Sequence, residues 1–184
     1  MSDLLINQNE QAREAERAVL GGLMLETQRF DTVIQVIKDS DFEGRDHQII
    51  FESMSELVEE NKPLDPITVS EKLDNKNSLN KVGGKNYLIE LATSTPSAAN
   101  LEAYAEIIRQ RSITRRLIKT NTDISELIKS PQGQDGLALL DRAESMIFAL
   151  NDEASQDNDT LKSMKTLIPS TMAVSYTHLT LPTN

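Results

Sequence analysis

The sequence predicts an all-α fold: a small globular helical subdomain followed by an antiparallel helical hairpin. Three observations carry this reading. Apolar residues recur at spacings of three and four along most of the chain, which is the period of a helix with one buried face. The apolar share is built from Leu, Ile, Val, Ala and Met, with only 4% aromatics and no tryptophan. Finally, Leu101 to Lys129 contains neither proline nor glycine, and a Pro/Gly turn and a second amphipathic run follow it.

The elements follow in order. Residues 1–11 are assigned to a flexible arm, and the first helix is expected from about Asn9 to Met24. Ala15, Val19, Leu20, Leu23 and Met24 share its inner side. Gly21 and Gly22 interrupt that pattern, each costing a helix interior about 1 kcal/mol relative to alanine. A glycine pair in such a place implies that another backbone approaches closely. A second helix is expected over Arg29 to Lys38, with Phe30, Val33, Ile34 and Ile37 inward. Ser40 to Asp46 reads as a polar connection, and the third helix should then run to Glu60, with Ile50, Met54, Leu57 and Val58 inward, Glu52, Glu56, Glu59 and Glu60 outward, and Lys62–Pro63 as its stop. Asp65 before Pro66 reads as a helix start, because the carboxylate caps free N–H groups and proline suits the first helical position. Ile67, Thr68 and Val69 are β-branched but have no partner segment, so they are read as helix. The polar stretch Asp74 to Lys81 reads as a loop, and Gly83–Gly84 precede a helix carrying Tyr87, Leu88 and Leu91. The globular subdomain is thus placed at 12–98.

The hairpin is placed at 99–151. Its first arm, Leu101 to Lys129, would be about 43 Å long at 1.5 Å per residue. The second, from about Asp135 to Leu150, presents Leu137, Leu140, Ala143, Ile147 and Leu150. The first arm outruns the second, so part of its apolar stripe requires cover from the globular part or from another subunit. Residues 152–172 read as the start of a linker, with an amphipathic fragment from Leu161 to Ile168. Residues 173–184 contain no charged side chain and no helix pattern, and read as a non-native tail.

Composition narrows the function. The formal net charge is −10, whereas non-specific grip on nucleic acid draws its affinity from a basic face. The absence of cysteine removes disulfides and thiol chemistry and fits a reducing compartment. No signal peptide or membrane-spanning run is recognisable, so a cytoplasmic location is expected.

Candidate chemistry is sparse. Gly83, Gly84 and Lys85 resemble the end of a phosphate loop, but Leu79 occupies the first glycine position and Asn86 replaces the Ser or Thr that would hold Mg²⁺. The two histidines, His47 and His178, are far apart, and His47 is expected to pack or cap at the start of the third helix. Acidic pairs such as Glu14 and Glu16 read as solvated faces. No catalytic, cofactor or metal residues are assigned. One charge feature rises above background: Arg109, Arg111, Arg115, Arg116 and Lys119, with no acid from Ile107 to Thr122. It reads either as a contact for an acidic partner or DNA phosphates, or as a solvated stripe paired with the protein's own acids.

Several separated pieces, in order, resemble the amino-terminal domain of DnaB-type replicative DNA helicases. They are EAERAVLGGLML from Glu14, then Asp41, Phe42, His47, Ile50 and Phe51, then Asp65, Ile67, Thr68, Glu71 and Leu73. VGGKNYLIEL from Val82 and TPSAANLEAYAEIIRQR from Thr95 complete the set. The resemblance spans roughly Ala12 to Leu150. It implies a bacterial or phage replication protein whose amino-terminal domains form a collar by pairing hairpins between subunits, and whose collar receives primase and other primosome proteins. It further implies a RecA-like ATPase domain, with ATP and Mg²⁺, which has no counterpart here, so the chain is expected to stop inside the interdomain linker and to be non-catalytic itself. DNA would then be contacted mainly through that missing domain. On this reading Leu117, Ile124, Ile128, Leu140 and Ile147 are hairpin-seam or self-association contacts, and Tyr104, Arg111 and Arg115 are partner contacts. The alternative is a nucleic-acid-contacting helical module that uses the basic stripe of the long helix.

Overall fold

The computed structural model describes residues 2–95, 97–131 and 133–152, with side chains from Glu10 onward. The linker residues beyond 152, the Leu161–Ile168 fragment, His178 and the 173–184 tail lie outside the described residues. Within them the fold is all-helical, with seven helices and no strand. These are α1 (Ser2–Leu25), α2 (Phe30–Val33), α3 (Arg45–Glu59), α4 (Pro66–Asn75), α5 (Gly84–Ser94), α6 (Leu101–Lys129) and α7 (136–152). Short 3₁₀ turns occupy Thr27–Arg29, Asp39–Asp41 and Leu79–Val82. None of the described helices is long and apolar enough to cross a membrane.

Two compact units divide the chain, Met1–Arg115 and Arg116–Asn184. In the first unit α1 packs along α5 and α3, and α4 packs on α3 and α5. Few aromatics suffice for the core because they are concentrated. Phe51 lies 5.5 Å from Phe30 and 5.0 Å from Phe42, centroid to centroid. The fourth phenylalanine, Phe148, is 71% exposed in the second unit.

The glycine pair has the packing role expected of it. A Cβ on Gly21 would land on the Leu91 carbonyl oxygen and the Thr95 hydroxyl, and one on Gly22 would lie 2.5 Å from Leu101 Cδ2. The carboxy-terminal end of α5 therefore lies directly against the α1 backbone. Thr95 closes that end by donating its hydroxyl to the Leu91 carbonyl at 2.9 Å.

Several helix limits differ from the sequence reading. α1 begins at Ser2 rather than near Asn9; residues 4–11 carry no proline or glycine, and their Leu, Gln and Glu favour a helix. The expected second helix over 29–38 breaks after Val33. A helix continued to Lys38 would bond the Lys38 N–H to the Ile34 carbonyl. Instead, Lys38 N–H donates to Asp41 Oδ2 (3.0 Å) and the Val36 carbonyl accepts from Arg109 (3.0 Å). Ile34, expected inward, is 47% exposed as a result.

The end of α3 is set by Asn61 rather than by Lys62–Pro63. Asn61 is left-handed (φ 56°), and Lys62 N–H reaches back to the Leu57 carbonyl at 2.8 Å. α4 ends in the same way: Asn77 is left-handed (φ 51°) and Ser78 N–H bonds the Leu73 carbonyl at 2.8 Å. Asparagine tolerates this conformation better than other side chains except glycine, and the backward bond satisfies a free carbonyl. The Asp65–Pro66 start is observed, with Asp65 accepting from Ile67 N–H (2.8 Å) and Thr68 N–H (3.0 Å).

Candidate interaction surfaces and a buried polar centre

Position 16 of α1 is four residues after Ala12 and three before Val19, both of which are buried. Glu16 is therefore drawn onto the inner face, where it is 1% exposed. This corrects its assignment to a solvated acidic pair, and the spacing itself was the available signal. Glu16 Oε2 lies 2.6 Å from His47 Nδ1, and His47 Nε2 lies 2.7 Å from the Tyr87 hydroxyl. Glu43 N–H donates to the other carboxylate oxygen. Both oxygens of the Glu16 carboxylate and both ring nitrogens of His47 thus have partners. Burial pushes the Tyr87 phenol above its ordinary value, against the opposing charges of Arg17 and Arg13.

A carboxylate, an imidazole and a hydroxyl in line invite a catalytic reading. The burial opposes it, because His47 is 0% exposed and both ring nitrogens are committed. What the arrangement does is join α1, α3 and α5 by buried hydrogen bonds. Arg17 extends it outward, lying 5.6 Å over the Tyr87 ring and pairing with Glu90 at 2.6 Å. Arg13 pairs with Asp46 at 2.7 Å. Burial raises the Asp46 carboxyl, but the hydrogen bond from Arg13 and the neighbouring His47 leave it below its ordinary value.

The basic cluster on α6 is partly used within the protein. Arg109 is 7% exposed and donates to the Val36 carbonyl. Arg115, half-buried, donates to the Asp41 carbonyl, while Ser112 donates to Asp41 Oδ1 at 2.7 Å. These bonds fasten α6 to residues 36–41. Arg111 is also half-buried and lines a shallow groove with Glu106, Ile107 and Thr114. Tyr104 is half-buried against the core. Lys119 is exposed and belongs to the second unit. The cluster is thus no continuous, solvent-facing phosphate grip.

In the second unit α7 packs with the remainder of α6. Yet no described side chain from Arg116 to Asp152 is buried. Leu139, Ala143, Met146 and Leu150 are the half-buried apolar positions of α7, at spacings of four, three and four. Leu140 and Ile147, expected as hairpin-seam or self-association contacts, are exposed, as is Leu137, one step around the helix from the half-buried positions. On α6, Leu117 and Ile128 are exposed and Ile124 is half-buried. With Ile118 and Phe148, the hairpin presents seven large apolar side chains that its own packing leaves uncovered.

Comparison with known proteins agrees with this architecture. Residues 8–110 match the family described as the DnaB-like helicase N terminal domain. The chain is 38% identical over 160 residues to the replicative DNA helicase DnaB of Buchnera aphidicola, a match covering 87% of this chain and 35% of that protein. It therefore spans about a third of that relative's length. Among solved structures, the N-terminal domain of DnaB helicase from Mycobacterium tuberculosis is similar with a TM-score of 0.70 at 31% identity, over 73% of this chain and 94% of that one. The corresponding Helicobacter pylori domain, solved with attention to its interactions with primase, gives 0.59 at 27%, over 68% and 97%. On the extent of the family match and of these identities, the chain belongs to the DnaB-like helicase N-terminal domain family.

Proposed function

We propose that this chain is the collar domain of a replicative DNA helicase, that it self-associates through its hairpin, and that the assembled collar docks primase. The observation that carries the reading is the second unit's surface: seven large apolar side chains are exposed and no described residue is buried. Each such side chain gains roughly 1.5–3 kcal/mol on full burial, so a hairpin left in water forgoes a large stabilisation that a second hairpin supplies. Docking of primase is supported by the relationship to the Helicobacter pylori domain. Unwinding of DNA with ATP belongs, on this proposal, to the remaining two thirds of the longer helicase. The nucleic-acid alternative is disfavoured because Arg109 and Arg115 are spent on the Val36 and Asp41 carbonyls.

Light scattering on the chain should give a dimer or a larger even-numbered assembly. Leu140→Asp with Ile147→Asp should give a monomer of unchanged helix content, since both side chains are exposed and outside the hairpin's own packing. Titration with the carboxy-terminal domain of primase should show binding to the assembled chain and at least about tenfold weaker binding to the monomeric variant, a difference of about 1.4 kcal/mol. A wild-type chain that remains monomeric would overturn self-association, and equal primase affinity for both forms would overturn docking on the assembled collar.

A further inference from the structure

The break in α2 leaves an apolar groove on the first unit, far in sequence from the hairpin. Its volume is about 440 Å³, between α2 with the turn after it and the carboxy-terminal half of α3. Phe30, Ile37 and Phe51 form the floor, while Ile34 and Val58 stand at the walls. The rim is acidic: Asp31, Asp39 and Glu59 are exposed, against a single base, Lys38. These acids differ from their neighbours on α3. Glu52, Glu56 and Glu60 are each paired with lysines, at 3.5 Å to Lys76, 2.7 Å to Lys76 and 2.7 Å to Lys62 respectively. Asp31, Asp39 and Glu59 form no ion pair with any described residue. An apolar floor with an unneutralised acidic rim is complementary to one chemistry, apolar anchors flanked by Lys or Arg.

We infer that this groove docks a short basic amphipathic helix of another protein, with apolar anchors on Ile34 and Val58 and lysines or arginines over Asp31, Asp39 and Glu59. A helix is the form that fits. No strand edge exists among the described residues to be extended by a bound strand, whereas a groove between helices takes anchors at spacings of three and four. The surface is distinct from the hairpin, so the inference stands or falls separately from self-association.

The test uses the full chain, methyl-labelled for NMR, with a short synthetic amphipathic helix of leucine and lysine as probe and a leucine–glutamate counterpart as its control. The leucine–lysine peptide should shift the methyl signals of Ile34, Ile37 and Val58. Asp31→Asn, Asp39→Asn and Glu59→Gln together should weaken that binding at least about tenfold, whereas neutralising Asp135, just before α7, and Asp141 and Glu144 on it should not. These near-isosteric changes on exposed acids preserve the fold, which circular dichroism checks. Binding that persists in the groove triple variant, that maps to other methyls, that is matched by the glutamate peptide, or that is absent altogether would overturn the inference.

Discussion

Gly21 and Gly22 are adjacent, but a side chain at each would meet different matter. At Gly21 the obstacles are the Leu91 carbonyl and the Thr95 hydroxyl that caps it, while at Gly22 it is the movable end of Leu101. Alanine gains about 1 kcal/mol of helix propensity at either site. Backbone cannot yield as a leucine can, and overpacking costs roughly 1–3 kcal/mol. Gly21→Ala should therefore lower stability by up to about 2 kcal/mol net, and Gly22→Ala should be closer to neutral, read from urea midpoints. The reverse order would contradict the close approach of α5 to α1. A similar argument applies to Glu16. Truncation to alanine strips partners from Glu43 N–H and His47 Nδ1–H, at about 1–3 kcal/mol for each buried group left unpaired. Glu16→Gln, which keeps an acceptor, should cost less.

The helices differ in how far the sequence announced them. α4 and α6 begin where local chemistry says they must: Asp65–Pro66 supplies a cap and a preset φ, and the long stretch from Leu101 has no breaker before Pro131. The break of α2 after Val33 was not legible, because the turn that replaces it rests on contacts of the folded chain: Lys38 N–H goes to the Asp41 side chain, and Arg109, 73 residues away, bonds the Val36 carbonyl. Which stripe of α7 faces α6 was not legible for another reason. Both Leu140–Ile147 and Leu139–Met146 keep helical spacing, and period alone does not say which stripe faces α6. The buried polar centre was half legible: His47 was expected to pack or to cap α3, and it packs, but Glu16 was counted by its charge rather than by its spacing. The Asp65 cap also yields a pH dependence. Burial raises its carboxyl, but hydrogen bonds from the Thr68 hydroxyl and N–H and from Ile67 N–H hold it below its ordinary 3.8. A depressed carboxyl contributes stability that is complete above its unfolded value and is lost as pH falls through the folded one. Asp65→Ala should therefore cost about 1 kcal/mol near neutrality. That gap between variant and wild type should narrow as pH falls below 3.8; a gap that stays constant would remove the capping explanation.

The two units are built on different principles. The first holds a continuous apolar core reinforced by the Glu16–His47–Tyr87 bonds and by the Glu56–Lys72–Lys76 pairs between α3 and α4. In the second, two helices meet along a half-buried seam and leave their larger apolar side chains outside. A pair of helices stabilised only by such a seam opens easily, because local stability follows the apolar area removed from water. Backbone amides of α1, α3 and α5 should accordingly exchange slowly with deuterium at every protein concentration. Amides of 117–128 and 137–148 should exchange fast in the Leu140→Asp, Ile147→Asp monomer. In the wild-type chain they should slow as concentration rises, since association couples hairpin closure to mass action. The profile separates two accounts of the exposed stripe. If the hairpin is stable by itself, its amides are protected in the monomer and indifferent to concentration. If the stripe is an assembly surface, protection appears only with a partner, and it stops at the junction near Arg116.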